Sequence, residues 1–146
     1  MNLSRVALAG FVAWVVFCIV GFVAHGVLMK DLYLAHASIM RPEADANARL
    51  PLAFLVSLVG MLAFAYAYAK GYEGGKGIQE GLRFGVLIGV MLIAFVVVWD
   101  YMTYPVSRNF LFALVVDYII EFAIYGTVVG AIYKPREARQ MRGAGL

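Results

Sequence analysis

Two acidic residues, Asp117 and Glu121, lie one helical turn apart inside an apolar stretch that runs from about Phe110 to Tyr133. A carboxylate at the centre of a bilayer costs roughly 2.5–3.5 kcal/mol on insertion scales, so such residues normally face a partner, a cavity or a bound ion. The i, i+4 spacing places both on one helix face, where their charges interact. Two carboxyl groups this close in a low dielectric rarely both ionise, so we expect them to share a proton near neutral pH.

Two further polar residues complete a predicted intramembrane polar cluster of Asp117, Glu121, His25 and Asp100. Carboxylate and imidazole groups are suitable ligands for a divalent metal, which makes His25, Asp117 and Glu121 candidate metal ligands. No H-x-x-x-H or E-x-x-H pairing accompanies them, so the sequence names no metal, pigment or other cofactor. The alternative is structural: the same groups can hydrogen-bond to Ser57 or to tyrosines and only hold helices together.

The composition predicts a membrane protein. The chain has 146 residues, of which 64% are hydrophobic and 14% charged, with a mean hydropathy of +0.85. Globular domains are about 45–50% apolar and about 25% charged. Since a spanning helix needs about 20 mostly apolar residues, we predict an all-α bundle of four transmembrane helices in a single domain, residues 1–146. The predicted spans are residues 6–29, 51–69, 82–99 and 110–133, followed by a basic tail, 134–146. The first is too long for a signal peptide and lacks a cleavage motif, so we expect it to be retained.

The distribution of lysine and arginine predicts the orientation of the bundle. Four spans place both termini on one side, which then carries eight basic residues: Arg5, Lys70, Lys76, Arg83, Lys134, Arg136, Arg139 and Arg142. The other side carries four, Lys30, Arg41, Arg49 and Arg108. The positive-inside rule therefore places both termini in the cytoplasm. We interpret the basic tail as an anchor to anionic lipid rather than a nucleic-acid site, because no aromatic or folded platform accompanies it.

Small residues recur at four-residue spacing on three of the predicted spans, as Gly81, Gly85 and Gly89, then Gly126 and Gly130, and also Ala63 and Ala67. Such ridges let helix backbones approach closely in lipid. We therefore expect a tight cytoplasmic half and a cavity only in the outer half, around the polar cluster. On the fourth span Asp117 lies opposite Gly126, so both faces need protein or water beside them. That helix is predicted to be central in the bundle or to form a contact in a homo-oligomer or larger membrane complex.

The connections and helix ends carry a distinctive pattern, YAKGYEGGKG from Tyr68, EGLRFG from Glu80 and GAIYKP from Gly130. It resembles a family of small, functionally uncharacterised four-helix membrane proteins of bacteria. The resemblance implies a multi-pass protein of the bacterial inner membrane and carries over no activity or catalytic residue. The chain also has the length of the trimeric eicosanoid and glutathione enzymes of membranes, but residues 51–69 lack their charged second-helix pattern. It likewise lacks the glutamate that small multidrug exporters carry in the first helix.

Three hypotheses for function follow. The first is a non-enzymatic helix bundle with a binding or structural role, which includes a role as an accessory subunit of a membrane complex. The absence of a soluble domain and of a nucleophile–base pair favours it. The second is an oligomeric proton-coupled transporter or channel that uses Asp117 and Glu121. The third is a metal- or porphyrin-binding membrane protein that uses His25.

The predicted orientation is tested by labelling cysteines in a chain whose Cys18 is replaced by serine. A membrane-impermeant maleimide should label Ser38→Cys in intact cells, because residues 30–50 are predicted to lie outside. It should label Gly143→Cys only after the cells are permeabilised. Labelling of Gly143→Cys in intact cells would contradict the cytoplasmic placement of the termini.

Overall fold

The structure, a computed structural model, describes residues 1–133, and within them every regular element is helical. Four helical stretches are long and apolar enough to cross a membrane: Leu3–Leu28, Glu43–Lys70, Gly77–Thr103 and Arg108–Ile132. This confirms the all-helical class and the four candidate spans. The basic tail, with Lys134, Arg136, Arg139 and Arg142, lies outside the described residues.

Five α-helices make up these stretches, two of which contain a π-helical segment, and a sixth helix, α2, lies in the connection after the first stretch. The elements are α1 (Leu3–Gly21) with a π segment (Phe22–Leu28), α2 (Lys30–Ala35), a 3₁₀ turn (Ala37–Ile39), α3 (Glu43–Lys70), α4 (Gly77–Leu92) with a π segment (Ile93–Val97) leading into α5 (Val98–Thr103), and α6 (Arg108–Ile132). Side-chain oxygens cap two of the starts: Asn2 accepts from the Arg5 N–H, and Ser107 accepts from the Phe110 N–H. Such caps satisfy amides that have no partner inside the helix.

The helix that contains the second predicted span is longer than the span. The span was predicted from Pro51, whereas α3 starts at Glu43, so Pro51 lies inside the helix. A proline within a helix removes one backbone hydrogen bond without always ending the helix. Pro42 directly precedes α3, and acidic Glu43 and Asp45 suit the positive end of the helix dipole. The short helix, α2, ends at Ala35.

The glycine ridges of α4 and α6 face each other, and this is the most extensive helix–helix contact in the bundle. A Cβ added at Gly81 would collide with the Gly126 carbonyl, and one added at Gly126 would lie 2.8 Å from the Gly85 Cα. Gly130 meets Gly77 in the same way, so the ridge on α4 is one turn longer than predicted. The backbones of these two helices are therefore in direct contact.

A second helix pair, α1 with α3, uses small residues that the sequence analysis did not single out. Ala9 and Ala13 of α1 are fully buried, and a Cβ at Gly10 would lie 2.9 Å from the Leu62 Cα of α3. The Trp14 indole N–H also donates to Ser57 Oγ at 3.0 Å. This pair is thus held by close packing and by a polar contact inside the apolar layer.

The small residues that α3 contributes were predicted wrongly. Ala63 and Ala67 are exposed on the bundle surface, whereas Ala65 and Ala69 are buried. The large side chain of Phe64 is buried as well. Residues one or four positions further along a helix lie towards the same side, and Ala65 is one of them. Alanine is small but apolar, and its spacing alone did not indicate which face α3 turns towards α1.

Helix α6 lies at the centre of the bundle, between α4 and α1. Its Gly126 face meets α4, and its other side meets α1, where the rings of Tyr125 and Phe17 lie 5.8 Å apart. Both faces that needed a neighbour therefore have one within the chain. The Gly126/Gly130 ridge is used inside the protein, so it gives no argument for an oligomer, and the homo-oligomer stays a prediction.

Replacing Gly126 by alanine should lower the free energy of unfolding by about 1–3 kcal/mol, the usual cost of overpacking. The added methyl group has no space against the α4 backbone. Gly60→Ala is the matched control, because a Cβ at Gly60 meets nothing within 4 Å. It should leave stability unchanged or raise it by up to about 1 kcal/mol through helix propensity. Unfolding in mixed dodecyl sulfate micelles, followed by circular dichroism, measures both, and equal effects of the two substitutions would contradict the backbone contact.

Candidate functional site

Three of the four predicted polar residues meet between α1 and α6. His25 Nε2 lies 3.5 Å from Asp117 Oδ2, and one potential ligand atom each from His25, Asp117 and Glu121 falls within 4.8 Å of the others. Glu121 is 6% exposed, while the side chains of Asp117 and His25 are 10% and 39% exposed. We call these three residues the polar cluster from here on. They lie towards the end of the bundle formed by α2, α5 and the start of α6, which we call the His25 end.

His25 reaches the cluster from the π-helical segment at the end of α1. The segment is π-helical because its backbone hydrogen bonds join residues five apart, as in the bond of 2.8 Å from the Met29 N–H to the Ala24 carbonyl. A π segment adds a residue per turn, so positions after it no longer follow the α-helical step. On α1 itself, Trp14 donates to Ser57 of α3, and Gly21, the last residue of α1, lies beside Glu121, whose Oε1 would be 4.0 Å from an added Cβ, an ordinary van der Waals distance.

Asp100 does not join the cluster, contrary to the prediction. A continuous α-helical step would place Asp100 near the face of Gly89, but a second π segment, Ile93–Val97, separates the two residues and changes the angle between them. Asp100 is exposed and lies in the wall of a cavity that His25 also lines. The structure therefore places Asp100 near the polar cluster but outside it.

Tyr33 is a neighbour of the cluster that the sequence analysis missed. Its hydroxyl lies 2.9 Å from His25 Nδ1, and its ring packs edge-on against Phe110 at 5.2 Å. Burial, followed by the charge of Asp117, raises the pKa of Tyr33 to about 12, so the phenol stays protonated under ordinary conditions. This contact occupies Nδ1 and leaves Nε2 facing Asp117. Tyr33 lies in a connection, outside any periodic pattern, and no spacing in the sequence indicated it.

A second histidine, His36, holds this end of the bundle together. Its Nδ1 lies 2.7 Å from the Leu32 carbonyl, and its Nε2 accepts from the Ser107 N–H at 3.0 Å. The ring also stacks on Phe110, with centroids 5.0 Å apart. Both ring nitrogens are thus engaged, so His36 connects α2 to the start of α6 and keeps Tyr33 in place.

Two carboxylate oxygens of the site have no hydrogen-bond partner among the described residues. These are Glu121 Oε1 and Asp117 Oδ2, and both are buried. An unsatisfied buried polar group costs about 1–3 kcal/mol. The site therefore has hydrogen-bonding or ligating capacity that the described side chains do not use.

Two cavities adjoin the polar cluster from different sides. A cavity of about 730 Å³, which we call the end cavity, lies at the His25 end and is lined by His25, Tyr33, Asp100 and Tyr118 among others. An apolar groove of about 350 Å³ between α1 and α6 is lined by Asp117 and Glu121 together with aliphatic side chains. We expected a cavity at this end only, but a smaller one of about 230 Å³ lies at the opposite end, beside Glu80 and Arg83.

The chain matches no protein-family model, no curated protein and no solved structure. The resemblance to a small bacterial membrane-protein family therefore stays a prediction. Function has to be inferred from the geometry of the polar cluster and of the end cavity.

Proposed function

We propose that this protein is a multi-pass protein of the bacterial inner membrane with a binding role, and that the end cavity takes up a small organic cation. With both termini in the cytoplasm, this cavity opens on the outer side of the membrane. The observation that carries the proposal is the end cavity itself. Its wall contains several aromatic rings and the carboxylate of Asp100, which has no ion-pair partner within residues 1–133.

The size and lining of the end cavity suit an organic molecule. Ligand sites typically have volumes of about 300–1,000 Å³ and are lined by apolar and aromatic groups with a few polar ones. Five aromatic residues line this one: Tyr33, Tyr101, Tyr104, Phe110 and Tyr118. Aromatic faces attract cations through their quadrupole, by about 0.5–2 kcal/mol per contact. The lining therefore favours a ligand that combines apolar surface with positive charge.

The charged residues around the end cavity divide into a paired group and one carboxylate outside it. Arg41 and Asp45 of the wall form an ion pair of 2.9 Å, and Asp45 also binds Arg49 at 3.0 Å, so this group of three carries one net positive charge. Asp100 makes no ion pair with any residue in the range 1–133, and it leaves a negative charge beside the aromatic rings.

The remaining hypotheses have less support in the geometry. We place proton-coupled transport through Asp117 and Glu121 second, because the direct contact of Gly81 with Gly126 closes the seam between α4 and α6 beyond the cluster. A porphyrin on His25 needs open space for the whole macrocycle in front of Nε2, whereas the Asp117 carboxylate lies 3.5 Å from that atom. A role as an accessory subunit of a larger complex is compatible with the binding function and is not needed for it.

Equilibrium dialysis with radiolabelled benzyltrimethylammonium tests the proposal on protein in lipid nanodiscs, with empty nanodiscs as the blank. We expect saturable binding that weakens at least tenfold in Asp100→Asn, because the variant removes the unpaired charge but keeps the side-chain size. Leu114→Trp should also weaken binding, since Leu114 lines the end cavity and the larger side chain fills it.

The matched control is Leu55→Trp on α3, where the side chain is 60% exposed on the bundle surface. It should bind the cation as the wild type does. Absence of saturable binding in the wild type, or equal binding by Asp100→Asn, would overturn the assignment of the end cavity to an organic cation.

A further inference from the structure

We infer that the polar cluster of His25, Asp117 and Glu121 is a binding site for one divalent transition-metal ion. This inference concerns a different ligand from the organic cation proposed for the end cavity. Two of the three metal ligands, Asp117 and Glu121, lie at the α1–α6 interface, and only His25 also lines the end cavity. Asp100, whose charge is proposed to hold the organic cation, is not among the metal ligands.

The distances between the three side chains are close to those of a metal site. Zinc-to-nitrogen and zinc-to-oxygen bonds of about 2.0–2.2 Å place neighbouring ligand atoms roughly 3–3.6 Å apart. His25 Nε2 and Asp117 Oδ2 already lie 3.5 Å apart, and the full set lies within 4.8 Å. A change in the torsion angles of the Glu121 side chain brings its carboxyl oxygen to the same spacing.

The unused polar atoms of the cluster point to a ligand rather than to a structural lock. Glu121 is 94% buried, being 6% exposed, and its Oε1 has no hydrogen-bond partner within residues 1–133. The same holds for Asp117 Oδ2, which has only the His25 ring at 3.5 Å. A carboxylate pair that served only to connect helices would use these oxygens as acceptors. A dication neutralises both carboxylates at once, which is the strongest available compensation in a low dielectric.

The donor set selects the class of metal. Two carboxylate oxygens and one imidazole nitrogen suit Mn²⁺, Fe²⁺, Co²⁺ and Zn²⁺, whereas Mg²⁺ and Ca²⁺ prefer oxygen alone and Cu⁺ prefers thiolate. Three protein ligands leave at least one coordination position free, as in catalytic rather than structural zinc sites. That position can face the end cavity, which His25 lines, or the apolar groove, which Asp117 and Glu121 line.

Tyr33 acts as a positioning residue for this site. Metal-binding histidines usually have a hydrogen-bond partner on the second ring nitrogen, and this partner fixes the ring and its tautomer. The Tyr33 hydroxyl lies 2.9 Å from His25 Nδ1 and fills that role. When Nδ1 donates to the phenol oxygen, Nε2 carries the lone pair and is directed at Asp117.

Titration of Co²⁺ into chelator-treated protein in nanodiscs tests the inference, because cobalt bound to nitrogen and oxygen ligands absorbs visible light. We expect one equivalent of Co²⁺ to bind and Zn²⁺ to displace it. His25→Gln and Glu121→Gln should each weaken binding at least 100-fold, and Tyr33→Phe should weaken it about 10–100-fold, the range seen when a ligand's orienting partner is removed. Zn²⁺ should also raise the melting temperature of the wild type but not of Glu121→Gln.

Asp100→Asn is the control that separates the two proposals. It should lose the organic cation and keep the full affinity for Co²⁺, while Glu121→Gln should show the reverse. Circular dichroism of each variant checks that it is folded, and Tyr33→Phe, which keeps all three ligands, tests the site even where a ligand variant does not fold. Failure of the wild type to bind one equivalent of Co²⁺ or Zn²⁺, or unchanged affinity in a folded His25→Gln, would overturn the metal site.

Discussion

The backbone contact between α4 and α6 is the constraint on which the rest of the bundle depends. In lipid, apolar side chains gain little by meeting each other, so helices associate where backbones can approach and pack closely. Gly77, Gly81 and Gly85 on α4 meet Gly126 and Gly130 on α6 with no room for a side chain between them. This contact fixes the rotation of α6 about its axis. The side of α6 that does not meet α4 is then the side that faces α1.

That remaining side carries the acidic residues and the buried Tyr125. Because α6 cannot rotate, Asp117 and Glu121 are held towards α1, where His25 Nε2 lies 3.5 Å from Asp117 Oδ2. His25 itself lies in the π segment at the end of α1. The polar cluster therefore follows from the glycine contact of α6 with α4, which leaves the acidic face of α6 to α1.

The sequence predicted the structure well where residues recur at a regular helical spacing, and poorly where a π segment or a connection interrupts that spacing. Segment length and hydropathy indicated the four spans, and the glycine spacing identified the contact between α4 and α6. The joint placement of His25, Asp117 and Glu121 also agreed with helical phase. Asp100 was misplaced because a π segment has no recognisable composition, and Tyr33 was missed because its contact depends on the path of a connection. Ala63 and Ala67 misled because alanine suits both a helix interface and lipid.

The bundle consists of two tightly joined helix pairs, α1 with α3 and α4 with α6. At the end that carries Tyr68 and Phe84, ring contacts such as Phe64 with Phe84 at 4.8 Å fasten the pairs to each other. At the His25 end, the polar cluster bridges them, and the walls of the end cavity come from both pairs. Contacts of different chemistry therefore join the two pairs at opposite ends of the bundle, apolar rings at one end and ionisable side chains at the other.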